Sequence, residues 1–244
     1  MLKGKLKVNT ILHDDCMNVL KDLPNSSVDL IIADPPYLTI SAKWDKVDVV
    51  TPRLVEQFRR VLKDSGSLYV WCGIGEKSQS LIRWFPLFSE VLVFKDFITW
   101  KKRRGMGTKR GWLYAREECM WFVKSGNYVW NESAQYNSEP NLFSLGFAGK
   151  PTKSKFKRIP NVWTDIPQPL LRIADHDTPK PVKAIARIVK AHTKKGDLVV
   201  DPFSGSGTTA VVCKMLGRRF ICIEKDEEHW KYSKLRLQAT YGGT

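Results

Sequence analysis

The chain has 244 residues, 43% of them hydrophobic, and its 40 Lys and Arg outnumber 25 Asp and Glu to give a formal charge of +15. That is enough apolar material for a full α/β core, most simply one domain with an insertion. No apolar stretch approaches membrane-spanning length and no signal-type block follows Met1 to Lys5, so a soluble cytoplasmic protein without membrane contact is expected; the five cysteines form no Cys-x-x-Cys pair, which favours reduced thiols over a disulfide framework or a zinc site.

In chain order, strand-like runs lie near Val8 to Leu12, Val28 to Ala33, Ser67 to Cys72, Val91 to Trp100, Glu118 to Val123, Leu198 to Val200 and Phe220 to Ile223. Helical runs separate many of them. Thr51-Pro52 supplies a cap and first turn for a helix through Leu62, Pro181 to His192 places apolar residues at helical spacing, and Asp226 can cap a last helix. This alternation predicts a mostly parallel sheet with helices on both faces, and Val91 to Val123 reads as a hairpin adding an antiparallel edge.

The second strand runs into Asp34-Pro35-Pro36-Tyr37. Two prolines end its ladder because neither can donate a backbone hydrogen bond. Asp34 and the Pro35 carbonyl can accept hydrogen bonds from an exocyclic amino group, and Tyr37 offers a face to a planar base. A plain turn followed by a core ring accounts for the same four residues, so the tetrapeptide does not decide alone.

The strand Leu198-Val199-Val200 leads into Asp201-Pro202-Phe203-Ser204-Gly205-Ser206-Gly207-Thr208-Thr209. Here a strand, a glycine turn and a helix start follow one another, with Gly205 and Gly207 letting the backbone approach a ligand. Glu224 ends the next strand, where a carboxylate can hold two ribose hydroxyls, and Lys225 follows it. A nicotinamide dinucleotide fits this spacing too, as does an ordinary βα connection. Asp201 at the mouth of the loop repels a pyrophosphate and attracts a sulfonium or a cationic amino acid, which favours S-adenosylmethionine.

Between Lys95 and Pro160 stand 14 Lys or Arg against 5 Asp or Glu, a net +9. The densest part is Lys101-Lys102-Arg103-Arg104 with Lys109-Arg110. A solvated basic face and a polyanion-binding surface both fit this run; beside a base pocket, DNA is the better match. From about Gly105 to Asp165 the pattern loosens, and Trp112, Tyr114, Tyr136 and Trp163 are candidates to wedge or stack against bases, or to pack in the interior.

Together the Asp34 to Tyr37 and Asp201 to Gly207 motifs resemble those of the S-adenosylmethionine-dependent DNA amino-methyltransferases, in the permuted order of the family's β group. The resemblance covers most of the chain and implies a Rossmann-like class I methyltransferase fold, with residues 1–104 and 166–244 forming one domain and 105–165 an inserted target-recognition region. It places Asp15 and Cys16 beside the cofactor's adenine. It also assigns the segment with Thr178 and Lys180 to the cofactor's methionine end, although Pro179 stands where many relatives carry Gln. Adenine-specific members usually begin the catalytic motif with Asp and cytosine-N4 members more often with Ser, so Asp34 implies adenine N6, with cytosine N4 and RNA bases as alternatives. A homodimer and a cognate restriction endonuclease are the partners that the resemblance adds to duplex DNA. The chemistry expected is base flipping, two hydrogen bonds that free the amino lone pair, and in-line methyl transfer with no metal.

Overall fold

The computed structural model describes residues 7–38, 47–75, 78–106, 110–140, 156–168 and 179–240, with the side chains of 103–106, 137–140 and 156 excepted. The apolar run Val28–Ala33 forms β2, which is buried along most of its length. Its alternate side chains feed two cores: Ile31 and Ala33 point to one face of the sheet, Leu30 and Ile32 to the other. On the first face pack α1 (Cys16–Asp22), α2 (Pro52–Val61) and α3 (Ser80–Ser89), through Leu20, Phe58, Trp84 and Phe88. On the second pack α4 (Val182–His192), α5 (Thr208–Leu216) and α6 (Glu227–Ala239), through Ile185, Ile188, Val212 and Leu237.

The remaining strands are β1 (Thr10–His13), β3 (Leu62–Cys72), β4 (Val93–Met106), β5 (Tyr114–Val123), β6 (Tyr136–Pro140), β7 (Phe156–Arg158), β8 (Val162–Trp163), β9 (Leu198–Asp201) and β10 (Arg219–Glu224). Eight of the ten described strands form one sheet in the order β1-β10-β9-β2-β3-β5-β4-β8, and β6 pairs with β7 apart from it. All neighbours from β1 to β3 are parallel, and β5 alone runs against the rest. The mixed, mostly parallel sheet with one antiparallel strand is the expected one.

The hairpin of β4 and β5 forms as expected but does not make the edge. The two-residue β8 lies outside β4, parallel to it, with Thr99 opposite Val162 and Trp100 opposite Trp163. Burial of Trp163 drives this: its ring meets Trp71 edge-on at 6.5 Å, and the Arg187 guanidinium covers it at 4.9 Å. Helix α3 went without a sequence signal because Pro86 stands inside it and its N-cap, Gln79, is left-handed with no side-chain cap.

Strand order reverses where β9 and β2 meet. Leu30 pairs with Val199 and Ile31 with Val200, and the Asp29 carboxylate accepts from the Leu198 N–H at 2.9 Å. Residues 167 positions apart in sequence, Asp34 and Asp201, therefore end adjacent strands at the crevice where doubly wound sheets bind ligands.

Candidate active site

Asp34 follows the last residue of β2, and both of its carboxylate oxygens are engaged. Oδ1 accepts from the Tyr37 hydroxyl at 2.5 Å, and Oδ2 accepts from the Lys180 ammonium at 2.6 Å. Lys180 also donates to the Tyr37 hydroxyl oxygen at 3.3 Å and lies over the Trp71 ring at 5.2 Å. A second carboxylate, Glu117 of β5, faces the same ammonium at 3.4 Å and accepts from Lys102 through its other oxygen. Charges thus alternate along Asp34, Lys180, Glu117 and Lys102.

This arrangement explains how a lysine only 8% exposed keeps its proton. Burial pushes the Lys180 ammonium toward neutrality, but Asp34 and Glu117 more than reverse that and hold it above the ordinary lysine range. Burial likewise opposes ionisation of Glu117, yet Lys180 and Lys102 together bring its carboxyl below the usual value. The family resemblance assigns Lys180 to the cofactor's methionine end; in the structure its ammonium rests on Asp34. Glu117 went unread, since nothing local to it signals a buried partner 63 residues away.

The glycine loop is built around Asp201. One carboxylate oxygen accepts from the Phe203 N–H at 3.0 Å and the other from the Thr209 hydroxyl at 2.5 Å, which ties the strand end to the first turn of α5. Burial raises this carboxyl to about 7, with the two hydrogen bonds acting against the shift. Gly207 serves packing. It has φ of +76°, and a Cβ there would stand 2.8 Å from the Ser233 Cβ of α6. Arg236 of α6, unmarked by any motif, donates to the Ser206 carbonyl at 3.1 Å and to the Thr208 hydroxyl at 3.0 Å, bracing the loop from behind.

At the ends of β1 and β10 the other expected residues come together. The Asp14 N–H donates to the Glu224 carbonyl at 3.1 Å, and Lys225 reaches the Asp15 carboxylate at 3.0 Å. Asp15 also caps α1 through the Met17 N–H. Burial, helped by the Asp15 charge, pushes the Cys16 thiol up to about 12, so it is an inert apolar contact. Glu224 accepts from the Gly205 and Asp226 N–H groups at 2.6 and 2.9 Å, linking the glycine loop to α6.

Asp34, Trp71, Lys180, Asp201, Phe203 and Thr208 line a small cleft between the two strand ends. The Trp71 indole nitrogen is buried there with no hydrogen-bond partner among the described residues. A positively charged sulfonium fits the carboxylates, and an amino-acid carboxylate fits Lys180 and the N-terminus of α5, so the donor set suits S-adenosylmethionine.

Thr178 and Lys109 lie outside the described residues, as do the side chains of Arg103 and Arg104. Of the remaining basic residues marked for DNA, Lys101 and Arg110 are exposed, whereas Lys102 turns inward onto Glu117. Among the aromatics, Trp163 is buried, Tyr114 accepts from the Ile74 N–H at 3.3 Å, Tyr136 pairs with Arg158 between β6 and β7, and Trp112 is 98% exposed.

Residues 28–235 match a family model described as DNA methylase, N6_N4_Mtase. The Type II methyltransferase M1.MboII of Moraxella bovis is 32% identical over 92% of this chain and 94% of its own length. The Type II methyltransferase M.BglII of Bacillus subtilis is 30% identical over 92% of this chain and 68% of its own. In structure, the M1.HpyAVI–SAM complex superposes with a TM-score of 0.62 at 26% identity, covering 93% of this chain and 99% of that one. The cytosine-N4-specific PvuII DNA methyltransferase reaches 0.73 at 20% identity over 93% and 86%, a likeness of fold.

Proposed function

The chain belongs to the DNA methylase family, methyltransferases that draw on S-adenosylmethionine, and from that premise we propose that it methylates the N6 amino group of adenine in duplex DNA after flipping the base. The observation that carries this reading is the adjacency of the Asp34 and Asp201 strand ends, which sets an amino-group acceptor beside a cationic-ligand loop.

Bound S-adenosylmethionine supplies an electrophilic methyl on positively charged sulfur. The chain's own residues do the rest. Asp34 already accepts two donors, a hydroxyl and an ammonium, in the positions that an exocyclic amine would take. Exchange of these internal donors for the amino group, with the Pro35 carbonyl as second acceptor, directs the nitrogen lone pair away from the base ring. Tyr37, once released from Asp34, presents its face to the base. The carboxylate is far too weak a base to deprotonate the neutral amine first, so proton loss accompanies or follows transfer.

Support for adenine is the Asp at the head of the motif. Residues 105–165 are the target-recognition region in this reading, inserted between residues 1–104 and 166–244. A second copy of the chain and a restriction endonuclease cutting the same site complete the proposed partners, in keeping with the Type II names of the relatives.

Incubation with labelled S-adenosylmethionine and unmethylated DNA, followed by digestion and mass spectrometry of the nucleosides, tests the assignment. Labelled N6-methyladenine is expected, and N4-methylcytosine would move the acceptor while keeping the site. Asp34→Ala should lower turnover by at least ~10²-fold, the scale of losing one group that stabilises developing charge. Its DNA affinity should stay within severalfold; parallel loss of binding and turnover would remove Asp34 from the chemistry.

A further inference from the structure

Trp112 stands at a place where a soluble surface gains nothing from an indole. β3 and β4 both run against β5, so they share a direction, and the connection from β4 to β5 emerges at the sheet edge that carries Asp34 and Asp201. Tyr114 fixes its return end through the Ile74 N–H, and the same neighbourhood reaches the catalytic segment where the Ser78 hydroxyl donates to the Tyr37 carbonyl at 3.1 Å. Two residues before that anchor, Trp112 is 98% exposed and Leu113 72% exposed. An isolated apolar side chain on a surface is ordinary. This one is the most exposed of the described large hydrophobics, projects from the catalytic edge, and is embedded in the segment carrying +9.

The surrounding charge selects the occupant. Arg110 is exposed two residues away, Lys101 is exposed on β4, and Arg116 is half-exposed while paired with Glu118 at 3.3 Å. A second copy of a chain with +15 meets like charge at this tip, and an uncharged protein surface offers these cations no attraction. A nucleic-acid duplex satisfies both features, since phosphates meet the cations and bases meet the indole. Extrusion of a base leaves a gap about as thick as one aromatic ring.

We propose that Trp112 enters the duplex at the position vacated by the extruded base and stacks there, holding the flipped state while Asp34 works on the target. This rests on the reading of the chain as a methyltransferase acting on duplex DNA. The exposed indole has no role in the fold, so its substitution leaves the core intact.

The test compares the intact chain with Trp112→Ala and Trp112→Phe. Wild-type protein must first label duplex DNA, and its failure to do so would overturn the proposed function itself. Given that activity, Trp112→Ala should lower turnover on unmethylated duplex about tenfold or more, as expected for loss of one base stack. Trp112→Phe should retain most of the rate, and S-adenosylmethionine affinity should match wild type in both. Saturating duplex should quench more tryptophan emission in wild type than in Trp112→Phe. Duplex turnover of Trp112→Ala within twofold of wild type would overturn the proposal, as would equal quenching in wild type and Trp112→Phe. Conversion of a dimer to a monomer by Trp112→Ala, with quenching unchanged, would reassign the tip to self-association.

Discussion

Asp201 is a carboxyl whose ordinary value of 3.8 has been raised to about 7 by burial, against the pull of Thr209 and the Phe203 N–H. In the proposed site a cation bound at the loop favours the ionised form, so cofactor binding there would expel a proton wherever Asp201 starts neutral. Affinity should therefore fall as pH drops below about 7, by up to about tenfold per pH unit. Calorimetric titration of the DNA-free protein from pH 5 to 8 measures it, and Asp201→Asn should flatten the dependence. In the unliganded fold the same shift has the opposite reading: stability from a neutral Asp201 is complete below 3.8 and is lost as pH rises through about 7. Residue types at this site were legible because Asp201, Gly205 and Glu224 stand at chemically telling spacings. The Lys180 to Asp34 and Lys180 to Glu117 contacts were not, since they join segments 146 and 63 residues apart through long flexible side chains.

His192 shows what an element contributes beyond its own helix. At the end of α4 it is 1% exposed; Nδ1 donates to the Val129 carbonyl at 2.7 Å, and Nε2 accepts from the Tyr69 hydroxyl at 2.8 Å, in the tautomer these partners require. Trp121 and Trp130 pack at 5.1 and 5.3 Å from its ring, so one imidazole joins α4, β3, β5 and the stretch after β5. Burial lowers its value from 6.5 to about 4. The unfolded chain then binds more protons across that window. Stability from neutral His192 is complete above pH 6.5 and is lost as pH falls toward 4, by up to about 3 kcal/mol. Because Asp201 tilts the same window the other way, the readout is the difference in urea stability between wild type and His192→Gln at each pH, which should narrow as pH falls. Elements buried on both faces, β2, β9 and β10, were readable from β-branched runs. The two-residue β8 was not, for only the burial of Trp163 makes it a strand.

At the scale of the whole molecule, +15 overall and +9 between Lys95 and Pro160 give binding to a polyanion a strong electrolyte dependence. If about six phosphates are neutralised, raising salt from about 50 to 200 mM should weaken DNA binding on the order of 10³-fold. A plot of log affinity against log salt with a slope near zero would remove the basic segment from the interface. Motif order made the architecture legible at this scale, because two strand-end motifs on alternating β and α runs leave few ways to meet other than at a switch point.

The pairing of β1 with β10 and of β2 with β9 also sets a timetable for the nascent chain. Thr10 must wait for Ile221, and Leu30 for Val199. A ribosome that has already made β2, β3 and the β4–β5 hairpin still holds a sheet with the Leu30 and Ile31 edge unpaired, a surface prone to illicit strand addition. The strand that ends at Asp34 is thus synthesised early and lacks its β9 neighbour until almost the last strand arrives. Slow, long-range closure of this kind makes synthesis itself a vulnerable interval, and a chain stopped after α4 is aggregation-prone rather than partly active.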